Sequence, residues 1–152
     1  MSNQAATNYL RAKVLTATPE QLQLMLYDGA IRFTEQAKLA LQKKDFENSF
    51  NGISRAQKII AELSGSLKHE MAPELCGKLA SLYAFVYRKL IEANCEHKLE
   101  SLDDALSILH YQRETWAILL DQLGKKKAAA AATKIEMPSP NPRMEASINT
   151  AA

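Results

Sequence analysis

At 152 residues with 47% hydrophobic side chains, the chain is long enough to bury a real core as one domain, and its 7% aromatic content suits a Leu- and Ala-rich helical protein. The net charge is +2, but residues 1–124 carry 14 basic and 15 acidic side chains against 5 and 2 in 125–152, so the near-neutral body argues against a nucleic-acid partner. Two cysteines make no disulfide framework, no positively flanked apolar run marks a signal peptide, and no stretch approaches the roughly 20 apolar residues that span a bilayer. The expectation is a cytoplasmic protein without membrane insertion.

Residues 1–17 begin polar and then offer Tyr9, Leu10, Val14 and Leu15, an amphipathic piece too short to be helical unaided. It either packs on the body or is disordered, and its apolar content favours packing. A first long helix is expected from Pro19 to about Lys43: Thr18 can cap it, Pro19 suits the first helical position and Gln21 completes a capping box. At about 100° per residue, Leu22, Met25, Leu26, Gly29, Ala30, Phe33, Ala37 and Ala40 share one stripe, expected to face the core. Leu24, Tyr27 and Ile31 form a second apolar stripe roughly opposite, where a surface helix should carry charge, so something else must cover it.

After the short turn Lys43-Lys44-Asp45, which makes antiparallel neighbours of the helices it joins, Asp45 can cap a second helix. Its core face is expected to carry Phe46, Phe50, Ile53, Ala56, Ile60 and Leu63, with a stop at Gly65. A loop follows, then a third helix from Pro73 whose core stripe is Leu75, Leu79, Leu82, Val86, Leu90 and Ala93, widened by Tyr83, Phe85, Tyr87 and Ile91. Residues 94–100 read as a polar connection, with Ser101 as N-cap of a fourth helix and Asp104 as its capping-box partner. Leu102, Leu106, Leu109, Trp116, Leu120 and Leu123 share a face of that helix, which Gly124 is expected to end. Arg113 falls on the same stripe, where it either pairs with an acid or bonds the carbonyls of a partner.

From residue 125 the composition turns to lysines, an alanine run and three prolines, which bury too little to offset their ordering entropy. The fold expected is therefore all-α: an antiparallel four-helix bundle over residues 18–124, a short N-terminal amphipathic segment over 1–17, and a disordered tail over 125–152, of which Ala128 to Ala132 could extend the last helix.

No chemistry emerges from the reactive residues. His69, His97, His110, Cys76 and Cys95 do not converge at helical spacing, and neither Glu-x-x-His pairs nor a Cys-x-x-Cys-His run occurs, so no metal and no cofactor are expected. No serine sits in a Gly-x-Ser-x-Gly setting and the glycines form no phosphate-cradling loop. The reading is a non-enzyme. What remains is apolarity off the core stripes: Leu24 and Ile31 on the first helix, Ile59 on the second, Tyr87 and Ile91 on the third, and Ile108, Tyr111 and Ile118 on the fourth. Gathered on adjacent helices, such residues would form grooves for amphipathic helices.

The run Pro19, Leu22, Met25-Leu26-Tyr27-Asp28-Gly29-Ala30 resembles the flagellin export chaperone family of the FliS type. Asn8-Tyr9-Leu10, Ile59-Ile60 with Leu63, Leu82-Tyr83 with Ala93-Asn94, and Trp116 match the same family in order, over about residues 8–123. The resemblance implies a cytoplasmic helical bundle that binds the C-terminal segment of flagellin, prevents its premature polymerisation and hands it to the flagellar export gate. It also implies that the segment around Tyr9 can fold over the client-binding surface. The expected partner-binding set is Tyr9, Leu10, Val14, Leu24, Tyr27, Ile31, Ile108, Tyr111 and Arg113. The rival expectation is a non-catalytic helical module that self-associates through the same stripes, and a homodimer of the free protein is compatible with either reading.

Overall fold

Thr18 caps as its position predicts. Its hydroxyl accepts the Gln21 N–H at 3.2 Å while the Gln21 side chain accepts the Thr18 N–H at 3.0 Å, and Pro19 opens the helix between them. In the computed structural model, which describes residues 2–68, 70 and 72–135, five helices follow in chain order. These are α1 (Ser2–Thr16), α2 (Pro19–Gln42), α3 (Phe46–Gly65), α4 (Pro73–Glu96) and α5 (Leu99–Ile135). The amphipathic N-terminal segment is thus helical, and α2 to α5 are the four long helices of the bundle. No strand occurs among the described residues.

Both connections at one end of the bundle are tight because each holds one residue in the left-handed region: Lys44 (φ 59°) between α2 and α3, and His97 (φ 52°) between α4 and α5. Asp45 then caps α3 by accepting the Asn48 N–H at 3.2 Å. The reversal at His97 is shorter than the polar connection expected over 94–100. As a result α5 starts at Leu99, and Ser101 lies inside it, buried, rather than at its N-cap. Lys89 ties α4 to the start of α5, lying 3.1 Å from Glu92 and 3.6 Å from Asp104. The hydrogen bond to Lys89 holds the Glu92 carboxyl below its ordinary range, and the same bond raises the lysine, so both stay ionised near neutrality.

The core is built from Tyr27, Ala30, Ile31, Ala37 and Leu41 of α2, Ile53, Ala56, Ile60 and Leu63 of α3, Tyr83, Val86, Leu90 and Ala93 of α4, and Leu102, Ala105 and Leu109 of α5. This corrects the stripe assignment on α2. Tyr27 and Ile31, expected outside the core, are 2% and 8% exposed, while Leu22, Met25, Leu26 and Phe33 from the expected core stripe are only half-buried. The helix is apolar on both sides, so periodicity alone could not tell which side the bundle takes. Thr34 joins the core because its hydroxyl donates to the Ala30 carbonyl at 2.7 Å and leaves no unpaired polar atom there. Similar corrections apply to Phe46, Phe50 and Leu75, which are exposed where a core face was expected, with Cys76 taking the buried place at the start of α4.

Polar pairs along α2 and α5 fix their relative direction. Asp103 meets Lys38 at 2.6 Å, His110 meets Glu35 at 3.5 Å, Arg113 meets Asp28 at 2.9 Å, and the Trp116 indole N–H donates to the Glu20 carbonyl at 2.8 Å. As one number rises the other falls, so the two helices are antiparallel, as the four-helix topology requires. The bundle belongs to residues 2–117; residues 118–135 form a second compact unit. There the helix runs through Gly124, which was expected to stop it, as far as Ile135. A glycine weakens a helix by only about 1 kcal/mol relative to alanine, and the run from Ala128 to Ala132 favours continuation. In that unit Ile118, Leu119 and Leu123 are exposed and Lys125 lies 3.2 Å from Asp121. The rest of the expected tail, 136–152, lies outside the described residues, as does His69.

At Gly52, α3 comes very close to α2. A Cβ there would stand 2.8 Å from the Phe33 carbonyl oxygen and 3.0 Å from the Ala37 Cβ of α2, closer than packed atoms allow. Gly77 of α4, by contrast, has nothing within 4 Å of such a Cβ. Gly77→Ala should therefore add up to about 1 kcal/mol of stability from helix propensity. Gly52→Ala should lose about 1–3 kcal/mol through overpacking in spite of the same gain. Urea unfolding of both variants checks the pair: equal stabilisation would show that the α2–α3 contact is slack.

Candidate partner-binding groove

An open groove of about 640 Å³ lies between α1, α2 and α3. Its α2 side is Leu22, Met25, Leu26, Gly29 and Phe33, the stripe that the sequence reading had assigned to the core, and Ile59 supplies the α3 side. Leu10 and Val14 of α1 close it from above. Gly29 belongs to this surface: an added Cβ would stand 3.1 Å from the Ile59 side chain, so the missing atom gives that isoleucine its place. Phe33 is held at the edge with the guanidinium groups of Arg32 and Arg55 5.0 and 5.5 Å from its ring centre, a cation–π arrangement on a half-buried aromatic. Lys13, Asp28, Arg32 and Glu62 give the rim charges of both signs around an apolar floor.

The cover is incomplete. Leu10 and Val14 remain 47% and 42% exposed although they line the groove, and Tyr9 and Leu15 are 70% and 77% exposed. A helix of 15 residues with so little buried surface is held weakly, since short helices draw most of their stability from packing.

The expected binding residues separate accordingly. Leu10 and Val14 reach the groove; Tyr9 lies on the same helix without lining it. Leu24 is half-buried on α2 and Ile108 packs against the core from α5. Tyr111 is 67% exposed on α5. Arg113 takes the first of its two expected roles, donating from Nε to Asp28 at 2.9 Å, and Asp28 itself sits on the groove rim. Tyr27 and Ile31 are buried in the core. The Tyr27 and Tyr83 hydroxyls form a buried hydrogen bond 2.5 Å long between α2 and α4, and burial, then that bond, push the Tyr83 phenol well above its ordinary range. The pair is an uncharged polar pin inside the core.

Sequence reasoning missed Met25, Leu26 and Phe33 as surface-lining residues, whereas Ile59 was among the apolar residues expected off the core stripes. The available signal was the double stripe itself, since a helix apolar on two sides needs two sets of neighbours, and α1 supplies only part of the second. The remaining reactive groups stay apart: Cys76 is buried and Cys95 exposed, His97 stacks on Phe46, and no cluster among the described residues could hold a metal. No helix of the described residues is long and apolar enough to cross a membrane.

The corrected faces make a direct prediction. Ile31→Glu should destabilise the fold by several kcal/mol, because it puts an unpaired carboxylate where 8% of the side chain meets solvent. Met25→Glu, on the groove, should leave the melting temperature within a few degrees of the parent, since surface changes stay within about 0.5 kcal/mol. Thermal unfolding followed by circular dichroism decides, and the reverse order would restore the original assignment of faces.

The helical bundle has a counterpart of the same fold. A solved structure of a flagellar chaperone from bacteria matches with a TM-score of 0.65 at 16% identity, covering 80% of this chain and 99% of that one, and so shows a shared fold. The flagellar secretion chaperone FliS of Bacillus subtilis is 33% identical over 110 residues, 72% of this chain and 81% of the relative. That of Campylobacter jejuni is 29% identical over 117 residues, 76% and 91% of the two chains. The family model described as flagellar protein FliS matches residues 1–123, which takes in every groove-lining residue, and the chain accordingly belongs to the FliS family.

Proposed function

We propose that this protein is a cytoplasmic secretion chaperone for flagellin, which holds the C-terminal helical segment of its client in the α1–α2–α3 groove and so prevents premature polymerisation. The observation that carries the reading is an apolar floor covered by a helix that leaves much of its own apolar surface in water. Such a floor gains more from a longer amphipathic helix than from α1, and this is the helix-in-groove mode of recognition. The relatives' description as flagellar secretion chaperones supports a secreted flagellar client, and the family resemblance of the sequence suggests flagellin.

In this mechanism no bond is made or broken. The client segment exchanges contacts with copies of itself for contacts with Leu22, Met25, Leu26, Phe33 and Ile59, while Leu10 and Val14 leave the groove and, with Tyr9 of the same helix, can repack on the client. Leu24, Ile108 and Tyr111 offer further apolar contact on α2 and α5. The Arg113–Asp28 pair anchors the rim and can turn its remaining donors to client carbonyls. Release at the flagellar export gate then needs only a competing apolar surface. The rival self-associating module loses its main support on α2, since Tyr27 and Ile31 are occupied in the core.

A peptide spanning the flagellin C-terminal segment should bind the full chain one to one. Met25→Glu should weaken binding by about tenfold or more, that is by about 1.4 kcal/mol. Deleting residues 1–15 should speed association, because a closed cover scales the apparent affinity down by the fraction of open molecules. Isothermal titration and stopped-flow fluorescence read these two effects. Unchanged affinity in Met25→Glu would move the client to another face, and slower association after deletion would make α1 a direct contact and not a cover.

A further inference from the structure

The α1–α2–α3 groove is not electrically uniform along its length. Gly29 of α2 stands against Ile59 of α3, and the Phe33 carbonyl against Gly52, so the two helices run antiparallel and Glu62 lies toward Met25 while Arg55 lies beside Phe33. At the Phe33 end the guanidinium groups of Arg32 and Arg55 stand 5.0 and 5.5 Å from the ring centre, and both side chains are exposed. Neither takes part in the seven ion pairs among the described residues. The acids one turn from Arg32 on its own helix are already engaged, Asp28 with Arg113 and Glu35 with His110. Two cations therefore flank an aromatic wall with no anion of the chain against them. Glu62 lines the other end, and Lys13 reaches the groove only from α1, the cover.

Arg55 also lines a polar hollow of about 250 Å³, together with Gln36, Asn48, Asn51 and Gly52. Because the Gly52 backbone packs against the Phe33 carbonyl, this hollow adjoins the end of the groove. Guanidinium groups only donate, and the amides of Gln36 and Asn51 add further N–H groups, so the cationic end is rich in donors. The chemistry that answers such an end is the last turn of a helix, which presents four carbonyl oxygens without intrahelical partners and the negative end of the dipole. Where the chain also stops there, a carboxylate is added, and its two oxygens match the fork of a guanidinium.

We propose that the Arg32–Arg55 end of the groove is a subsite for the C-terminal carboxylate of the client, with the last carbonyls of the client helix beside the Gln36–Asn51 hollow. This rests on the reading that the groove holds the client's C-terminal segment. The client helix then runs parallel to α2, its chain end at Phe33 and its other end by Glu62, where an acid favours the positive end of the dipole. Apolar floor and charged end thus divide the work: the floor holds the segment, and the two guanidinium groups fix its direction and register.

Isothermal titration of the full chain compares two peptides of the flagellin C-terminal segment, one ending in the free carboxylate and one in the carboxamide. The carboxamide is expected to bind the parent at least about tenfold more weakly. In the double variant Arg32→Gln/Arg55→Gln that difference should shrink to within about twofold, while the circular dichroism melt stays unchanged because both side chains are exposed. Arg55→Gln alone gives the same comparison should the double variant melt early. Equal binding of the two peptides to the parent overturns the proposal. If Met25→Glu still weakens both peptides in that case, the client keeps its groove with its end elsewhere; if Met25→Glu is also without effect, the groove reading falls with it. A double variant that weakens both peptides equally overturns the proposal too, and assigns the guanidinium groups to an acidic side chain within the segment.

Discussion

The rest of the bundle depends on how closely α3 can approach α2. At Gly52 the two backbones come so near that a single Cβ would collide with the Phe33 carbonyl and with Ala37. Such closeness has two consequences on opposite sides of α2. Inward, it seats small residues, Ala30, Ala37 and Ala56, fully buried at the centre, where larger ones would push the helices apart. Outward, it brings Phe33 and Ile59 together as the wall and floor of a groove, with Gly29 leaving room for the isoleucine. The groove is thus a by-product of core packing, and its floor is as rigid as the helices that carry it, while α1 above it is not comparably held.

That division between a rigid floor and a loose cover is what a holding function needs. A client segment has to find the apolar surface already formed, or it would have to supply the energy of ordering both partners. The proposed mechanism needs a displaceable cover, and α1 buries little that would hold it: Leu10, Val14, Tyr9 and Leu15 are 42–77% exposed. Elsewhere the fold is pinned by polar contacts that no client need disturb. The Tyr27–Tyr83 hydrogen bond joins α2 to α4, and the Trp116 indole joins α5 to the first turn of α2.

Much of this was legible in the residues. Thr18, Pro19 and Gln21 place the start of α2, Asp45 the start of α3 and Pro73 the start of α4, because caps and prolines act locally and owe little to tertiary context. Which face of α2 enters the core was not legible. Leu22, Met25, Leu26 and Phe33 on one side and Tyr27 and Ile31 on the other are equally apolar, and the decision rests on neighbours far away in the chain. Tyr27 goes inward because Tyr83 waits there with a hydroxyl to pair. Phe46 and Phe50 misled for a related reason: they lie on the outer flank of the α3 stripe, exposed, while Ser49 and Ile53 at the same level are buried. Gly52 was unreadable as a contact, since only the three-dimensional approach of Phe33 and Ala37 shows why a side chain is excluded. Of the expected binding set, Leu10 and Val14 line the groove from the amphipathic face of α1, and the α2 side beneath them was missed because it had been counted as core.

The claim at the centre of this account is that one side of α2, with Ile59 of α3, receives the client while α1 gives way. Hydrogen–deuterium exchange of the full chain, with and without a peptide of the flagellin C-terminal segment, addresses it residue by residue. The account predicts faster exchange in residues 2–16 once the peptide is bound, together with added protection in 22–33 and around Ile59. Unchanged exchange in α1, or new protection confined to the outer face of α4, would contradict it.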